Sequence, residues 1–236
     1  MNHTILAMDT STKRCQLAVW RGTKWIGEIM VENGRTHAEM LPEQLDILLT
    51  ECRIKLEQIS RILAIVGPGS FTGLRIGATL VKTLALAQNI DIIPLSSLHL
   101  LAFQLNAHLP PLSKLFTVIP GIRHELYVGY YQLDVDGVPK IIREELMDKN
   151  EFHLQRSANA PVFTSDDKLA EEFGYCRLIP RFAALLPFPE TLDRLAVSRE
   201  KFHLTYLRVS EAELAWQAEK KKKYQLYIEN LWQSTK

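Results

Sequence analysis

Cysteine is scarce in this chain. Three occur among 236 residues, at 15, 52 and 176, and no two form a CxxC pair. That argues against a zinc knuckle, and so sparse a set fits a reducing compartment rather than a disulfide framework. The seven histidines, at 3, 37, 99, 108, 124, 153 and 203, include no pair four apart, so no helix presents two imidazoles to one metal. There are 11 glycines and no Gly-Gly step. No apolar run approaches the ~18 residues that span a bilayer. The run at 5–8 is too short for a signal peptide. Net charge is nearly absent as well. Against 28 Lys plus Arg stand 27 Asp plus Glu, leaving +1, which disfavours coating of nucleic acid or membrane by bulk electrostatics. A Gly-x-Ser-x-Gly elbow is missing, which removes one hydrolase template. These absences predict a cytoplasmic protein with no membrane partner and no resident metal.

Apolar residues make up 47% of the chain and charged residues 23%, the proportions of a globular protein with one or two cores. The patterning predicts strands at 5–8, 15–20 and 25–31. Thr36 and Glu39 have capping-box spacing, and Leu41, Leu45, Leu48 and Cys52 follow on one helical face. Pro42 either kinks that helix or marks its first turn. A strand at 62–66, a helix at 71–88, a strand at 90–94 and a helix at 97–105 complete a first half. After Pro110-Pro111 the plan restarts, with strands at 115–119, 125–133 and 140–146, then strand, helix and strand at 161–164, 167–173 and 177–180. Residues 192–204 and 210–232 read as helical. The expected fold is α/β, with two halves around a cleft, divided as 1–106 and 107–236.

Two segments hold chemistry-bearing residues. Gly67-Pro68-Gly69-Ser70-Phe71-Thr72-Gly73-Leu74-Arg75-Ile76-Gly77 reads as strand, glycine-rich turn and helix start. Free backbone N–H groups and the helix dipole make such a place attractive to anions. It lacks the Gly-Lys-Ser/Thr ending of a Walker A loop. Gly73 and Gly77, four apart, serve equally well to let another backbone approach. Asp9-Thr10-Ser11-Thr12 follows the first strand. Such a turn suits a Mg²⁺–phosphate group, or simply closes a hairpin through Asx and Ser/Thr turns.

Met8-Asp9-Thr10-Ser11, Arg35-Thr36-His37-Ala38-Glu39, the run from Gly67 to Gly77, and Tyr206-Leu207-Arg208 with Glu211-Ala212-Glu213 resemble, in order, the TsaB family, formerly YeaZ. The eleven-residue run carries most of the resemblance. It implies the actin/Hsp70/sugar-kinase (ASKHA) superfamily, with two RNase H-like subdomains, the second reduced. It further implies a non-catalytic subunit of the machinery that transfers threonylcarbamoyl from threonylcarbamoyl-AMP, supplied by TsaC, to the adenosine beside the anticodon of tRNA. The implied partners are a TsaD-like catalytic paralogue and a TsaE-like ATPase; alone, apolar helix faces are expected to find each other in a symmetric homodimer. No cofactor of its own is implied; ATP is used through the partners. Enzymes of this kind carry two histidines at i and i+4, or a late glycine pair at the adenosine. This chain has neither. What remains is a remnant phosphate or nucleotide site of Asp9, Thr10, Ser11, Gly67, Gly69, Ser70, Thr72, Gly73 and Arg75, capable at most of weak nucleotide binding. Where the family commonly has Asp-Ala-Arg, this chain has Pro120-Gly121-Ile122, so no role of that Asp or Arg is carried over.

In the TsaB family the helices after Thr36 and Ser70 pack against a partner's equivalents. The expected faces are His37 with Leu41, Leu45 and Leu48, and Leu74 with Ala78 and Val81. Burial in the chain's own core is the competing role of those residues, and solvation is that of Arg35, His37 and Glu39. Lys220 to Lys223 suggest either a weak basic patch for tRNA or a solvated helix end. Trp216, Tyr224, Tyr227 and Trp232 suit docking of the tail better than stacking on bases. Two further classes stay open: an active kinase or peptidase of the same fold, and a free-standing RNA-binding module.

Overall fold

The computed structural model describes residues 3–32, 36–106, 108–156 and 160–204. The first sheet opens with β1 (Thr4–Asp9), β2 (Cys15–Arg21) and β3 (Lys24–Val31), an antiparallel meander. β4 (Arg61–Ile65) and β5 (Asp91–Leu95) add in parallel, giving the order β3-β2-β1-β4-β5. Parallel neighbours need crossovers, and the two long helices supply them. These are α1 (His37–Glu51) and α2 (Phe71–Gln88). Both cover one face of the sheet, closing a core that includes Leu6, Leu17, Leu41, Leu48, Ile62 and Val81. Glu39 accepts hydrogen bonds from the N–H and hydroxyl of Thr36, which fixes the start of α1. Pro42 lies inside that helix rather than in its first turn.

The second sheet repeats the plan. β6 (Lys114–Pro120), β7 (Glu125–Leu133) and β8 (Pro139–Asp148) are antiparallel; β9 (Val162–Thr164) and β10 (Cys176–Arg177) are parallel to β6. The order β8-β7-β6-β9-β10 matches that of the first sheet. The α/β class with a reduced second half is therefore what the structure has. Its helices are short: α4 (Lys149–Gln155) and α5 (Asp167–Phe173), seven residues each.

The other face of the first sheet is covered by α3 (Ser97–Phe103), a 3-10 turn at Phe182–Leu185 and α6 (Pro189–Leu195). Val138 of the β7–β8 hairpin enters the same core beside Trp20, Phe103 and Phe182. Polar contacts reinforce this joint between the sheets. The Thr117 hydroxyl donates to Leu98 O (3.1 Å) and His99 Nε2–H donates to Pro139 O (2.8 Å). The Tyr131 ring stacks on His99 with ring centres 5.3 Å apart, while its hydroxyl donates to Glu144 of its own sheet. Burial holds the His99 imidazole near pKa 4, so it is neutral at physiological pH.

One expected element is corrected. The helix read at 192–204 is α6 alone, which Pro189 starts and which stops at Leu195. Val197 instead exchanges two backbone hydrogen bonds with Ile92 (2.8 and 3.0 Å), satisfying the open edge of β5. The helix read at 210–232, Arg35, the segment from Tyr206 to Glu213, the Lys220–Lys223 run and the tail aromatics lie outside the described residues. Among the described residues no helix is long and apolar enough to cross a membrane.

Candidate functional site

The site is built where β1 and β4 end side by side. Parallel pairing of Ile5–Met8 with Arg61–Ala64 brings residues 9–12 next to residues 66–70. A cleft of about 440 Å³ opens there. Asp9, Ser11, Gln16, Gly69 and Ser70 line it from the first half, and Ile119, Pro120, Ser165, Asp166 and Pro180 from the second. The two candidate segments thus meet.

Where they meet, two of the donors expected to face an anion are already taken. The Ser70 N–H, one of the donors expected to face an anion, is given to Ser11 O at 2.7 Å. The Gly73 N–H goes to the Ser70 hydroxyl oxygen at 3.2 Å. The Thr10 hydroxyl donates to Gly73 O at 2.8 Å. A Cβ on Gly69 would strike Ser11 O, and one on Gly73 would strike Thr10 O. At Gly77 it would strike the Thr10 side-chain oxygen. The glycines therefore let the β1–β2 turn pack onto the start of α2. Gly67 has φ of 115°, which favours glycine, and its carbonyl accepts from Ser97 N–H at 2.8 Å.

Asp9 is buried, and its Oδ1 accepts from Ser11 N–H at 2.8 Å. Burial raises its pKa above the usual carboxylate value, against the lowering effect of Ser11 and His37. Ser11 is buried beside it. Thr72 and Arg75 are exposed and do not line this cleft; Thr72 lines an adjoining one of about 480 Å³ with His37, Ser70 and Gly73, and the Arg75 guanidinium lies 4.0 Å from the centre of the Phe71 ring. Among the described residues, no group of three or more His, Cys, Asp or Glu is placed to hold a metal.

The expected helix faces need correction. Leu41, Leu45, Leu48, Leu74 and Val81 are buried in the chain's own core, and Ala78 packs against it. A helix can turn only one stripe toward its sheet, and the leucines take that stripe. Leu45→Glu would therefore bury a charge rather than test a surface. His37 is half-buried, with Nε2–H donated to Thr12 O at 2.6 Å. The outward residues are Ile47 on α1 and Phe71 and Leu86 on α2, exposed by 41%, 43% and 54%. Phe71, Arg75, Thr79, Lys82 and Leu86 recur at helical spacing along that outer side. Leucine periodicity gave the stripe but not its direction. The weaker signal was the second, mixed stripe on the same helix.

A protein-family model described as TsaD, tRNA N6-adenosine threonylcarbamoyltransferase, matches residues 31–220. The tRNA threonylcarbamoyladenosine biosynthesis protein TsaB of Bacillus subtilis is 30% identical over 226 residues, covering 90% of this chain and 97% of that protein. The protein of the same name from Haemophilus influenzae is 38% identical over 103 residues, covering 43% of this chain and 42% of that one. Among solved structures, a Pseudomonas aeruginosa protein described as similar to peptidase YEAZ superposes with a TM-score of 0.73 at 26% identity. It is covered completely, by 87% of this chain. The matching sheet orders, the strand–glycine turn–helix segment and these similarities agree: the chain belongs to the TsaB family, within the ASKHA superfamily.

Proposed function

We propose that this chain works in tRNA threonylcarbamoyladenosine biosynthesis as a non-catalytic scaffold. It binds a TsaD-like catalytic paralogue and a TsaE-like ATPase, with tRNA as the substrate of the complex. The observation that carries the non-catalytic part is the filled phosphate cradle: Ser11 O occupies the Ser70 N–H and the space beside Gly69. An anion at that loop would have to displace a buried turn, so weak nucleotide binding is the most the cleft allows. The proposed docking surface is the outer side of α1 and α2, centred on Ile47, Phe71 and Leu86. Large exposed apolar groups on adjacent helices suit a helix–helix interface. A division near residues 106 and 107, between the elements of the two sheets, belongs to the same proposal, as does a cytoplasmic location.

The test is an omission experiment. Threonylcarbamoylation of tRNA is reconstituted from TsaC-, TsaD- and TsaE-like proteins of the same organism, with and without this chain. Modification that collapses without it, together with no turnover of ATP or threonylcarbamoyl-AMP by the chain alone, supports the scaffold. Equal modification without it overturns the role.

A further inference from the structure

The outer side of α2 begins at Phe71, and the loop before it, residues 67–70, is held from two directions. On one side is the β1–β2 turn, where Ser11 O takes the Ser70 N–H and the Thr10 hydroxyl donates to Gly73 O. On the other is Ser97, the first residue of α3. Its N–H donates to Gly67 O and its hydroxyl to Pro68 O, both at 2.8 Å. Gly67, Pro68 and Ser97 are all buried, so water is no ready substitute for either donor. The second sheet in turn grips α3. Thr117 of β6 donates to Leu98 O, and His99 donates to Pro139 O of β8 and stacks on Tyr131 of β7. Three strands of the second sheet thus hold residues 98 and 99, and the residue before them holds the loop that starts α2.

We infer that Ser97 is a positioning residue for the docking surface, and that the second sheet acts on that surface through it. The inference rests on the docking role proposed for α2. Ser70 caps this helix: its side chain accepts from Gly73 N–H at 3.2 Å and its carbonyl from Leu74 N–H at 2.8 Å. The place of the cap decides which residue opens the helix and in which direction that residue leaves it. Phe71 is that residue and is 43% exposed, so the backbone before it sets its place more than core packing does. Removing the Ser97 hydroxyl leaves Pro68 O without its donor, and the loop holds its geometry for less of the time. Thr117 acts on the same loop at one remove, through α3. The reduced second half then has a part in recognition that needs no ligand of its own.

A double-mutant cycle on binding to the TsaD-like protein of the same organism tests this, with the full chain throughout. Phe71→Ala and Leu86→Ala each weaken binding, as the docking reading requires. Ser97→Ala weakens it about tenfold. Thr117→Val, which removes the hydroxyl at constant shape, weakens it in the same sense, and Thr117→Ser, which keeps the hydroxyl, restores it. The effect of Ser97→Ala disappears in the Phe71→Ala background, because the side chain being aimed is gone. It persists in full in the Leu86→Ala background, at the far end of the helix. A general loss of stability would act alike in both backgrounds, and that result overturns the inference. Wild-type binding by Ser97→Ala or Thr117→Val, with binding weakened by Phe71→Ala, overturns it as well and leaves the docking reading standing. Wild-type binding by both Phe71→Ala and Leu86→Ala overturns the docking reading, and the inference with it.

Discussion

The two sheets share a strand order and differ in what covers them. In the first half, crossovers of 15 and 18 residues bury a continuous stripe each, and the sheet is packed on both faces. In the second half the helices are seven residues long, and Leu154 of α4 is 87% exposed. The same topology thus supports two degrees of elaboration. The smaller half keeps its place through contacts with the larger one: Val138 in the shared core, and Thr117, His99 and Tyr131 at the joint. These contacts fix the second sheet to the first.

The largest test of this comparison truncates each core. Leu48→Ala and Leu169→Ala remove buried side chains from opposite halves, and each should cost about 2–5 kcal/mol. If the halves are one cooperative unit, both variants shift a single calorimetric transition. Two separated transitions would break the comparison. Leu154→Ala should stay within about 0.5 kcal/mol of wild type.

The joint itself titrates. An imidazole of ordinary pKa in the unfolded chain and about 4 in the folded one binds its proton preferentially when unfolded. Its stability contribution is therefore complete above pH 6.5 and is lost as pH falls toward 4, by about 3 kcal/mol. Buried Asp9 and Glu144, whose pKa values are raised chiefly by burial, act in the opposite sense. The informative quantity is thus the difference between wild type and His99→Gln in urea denaturation across that window. A difference independent of pH would show that the joint is not as dry as described.

Smaller effects belong to the cleft. Gly73→Ala drives a methyl group into Thr10 O, a backbone atom that cannot yield cheaply, and should destabilise by about 1–3 kcal/mol. Asp9→Asn keeps the acceptor for Ser11 N–H while removing a buried charge, and should stabilise the chain by on the order of 1 kcal/mol at neutral pH. Thermal unfolding reads both. A destabilised Asp9→Asn would mean that the carboxylate still has a favourable partner.

Much of this was legible in the sequence. Thr36 and Glu39 marked the start of α1, the glycine run marked the turn into α2, and the alternation through Tyr127–Leu133 marked β7. The spacing of Gly73 and Gly77 announced a close backbone approach, and Thr10 makes it. The stripe direction on α1 and α2 was not legible, because an apolar stripe looks the same whether it meets its own sheet or a partner. Nor was the end of α6. Residues 196–204 have helical composition, but Val197 is captured by the edge of β5, a contact made across about a hundred residues of chain. Filling of the cradle by Ser11 was equally invisible, since it depends on how two distant turns are brought together by the pairing of β1 with β4.

In the proposed function the outer helices, and not the cleft, carry the role. The most direct measurement compares two variants in reconstituted threonylcarbamoylation of tRNA: Asp9→Asn in the cleft, and Phe71→Glu with Leu86→Glu on the surface. Both should remain folded by thermal unfolding. The account predicts wild-type modification with Asp9→Asn and a loss of modification, together with loss of binding to the TsaD-like protein, for the surface variant. Loss with Asp9→Asn and wild-type behaviour of the surface variant would contradict it.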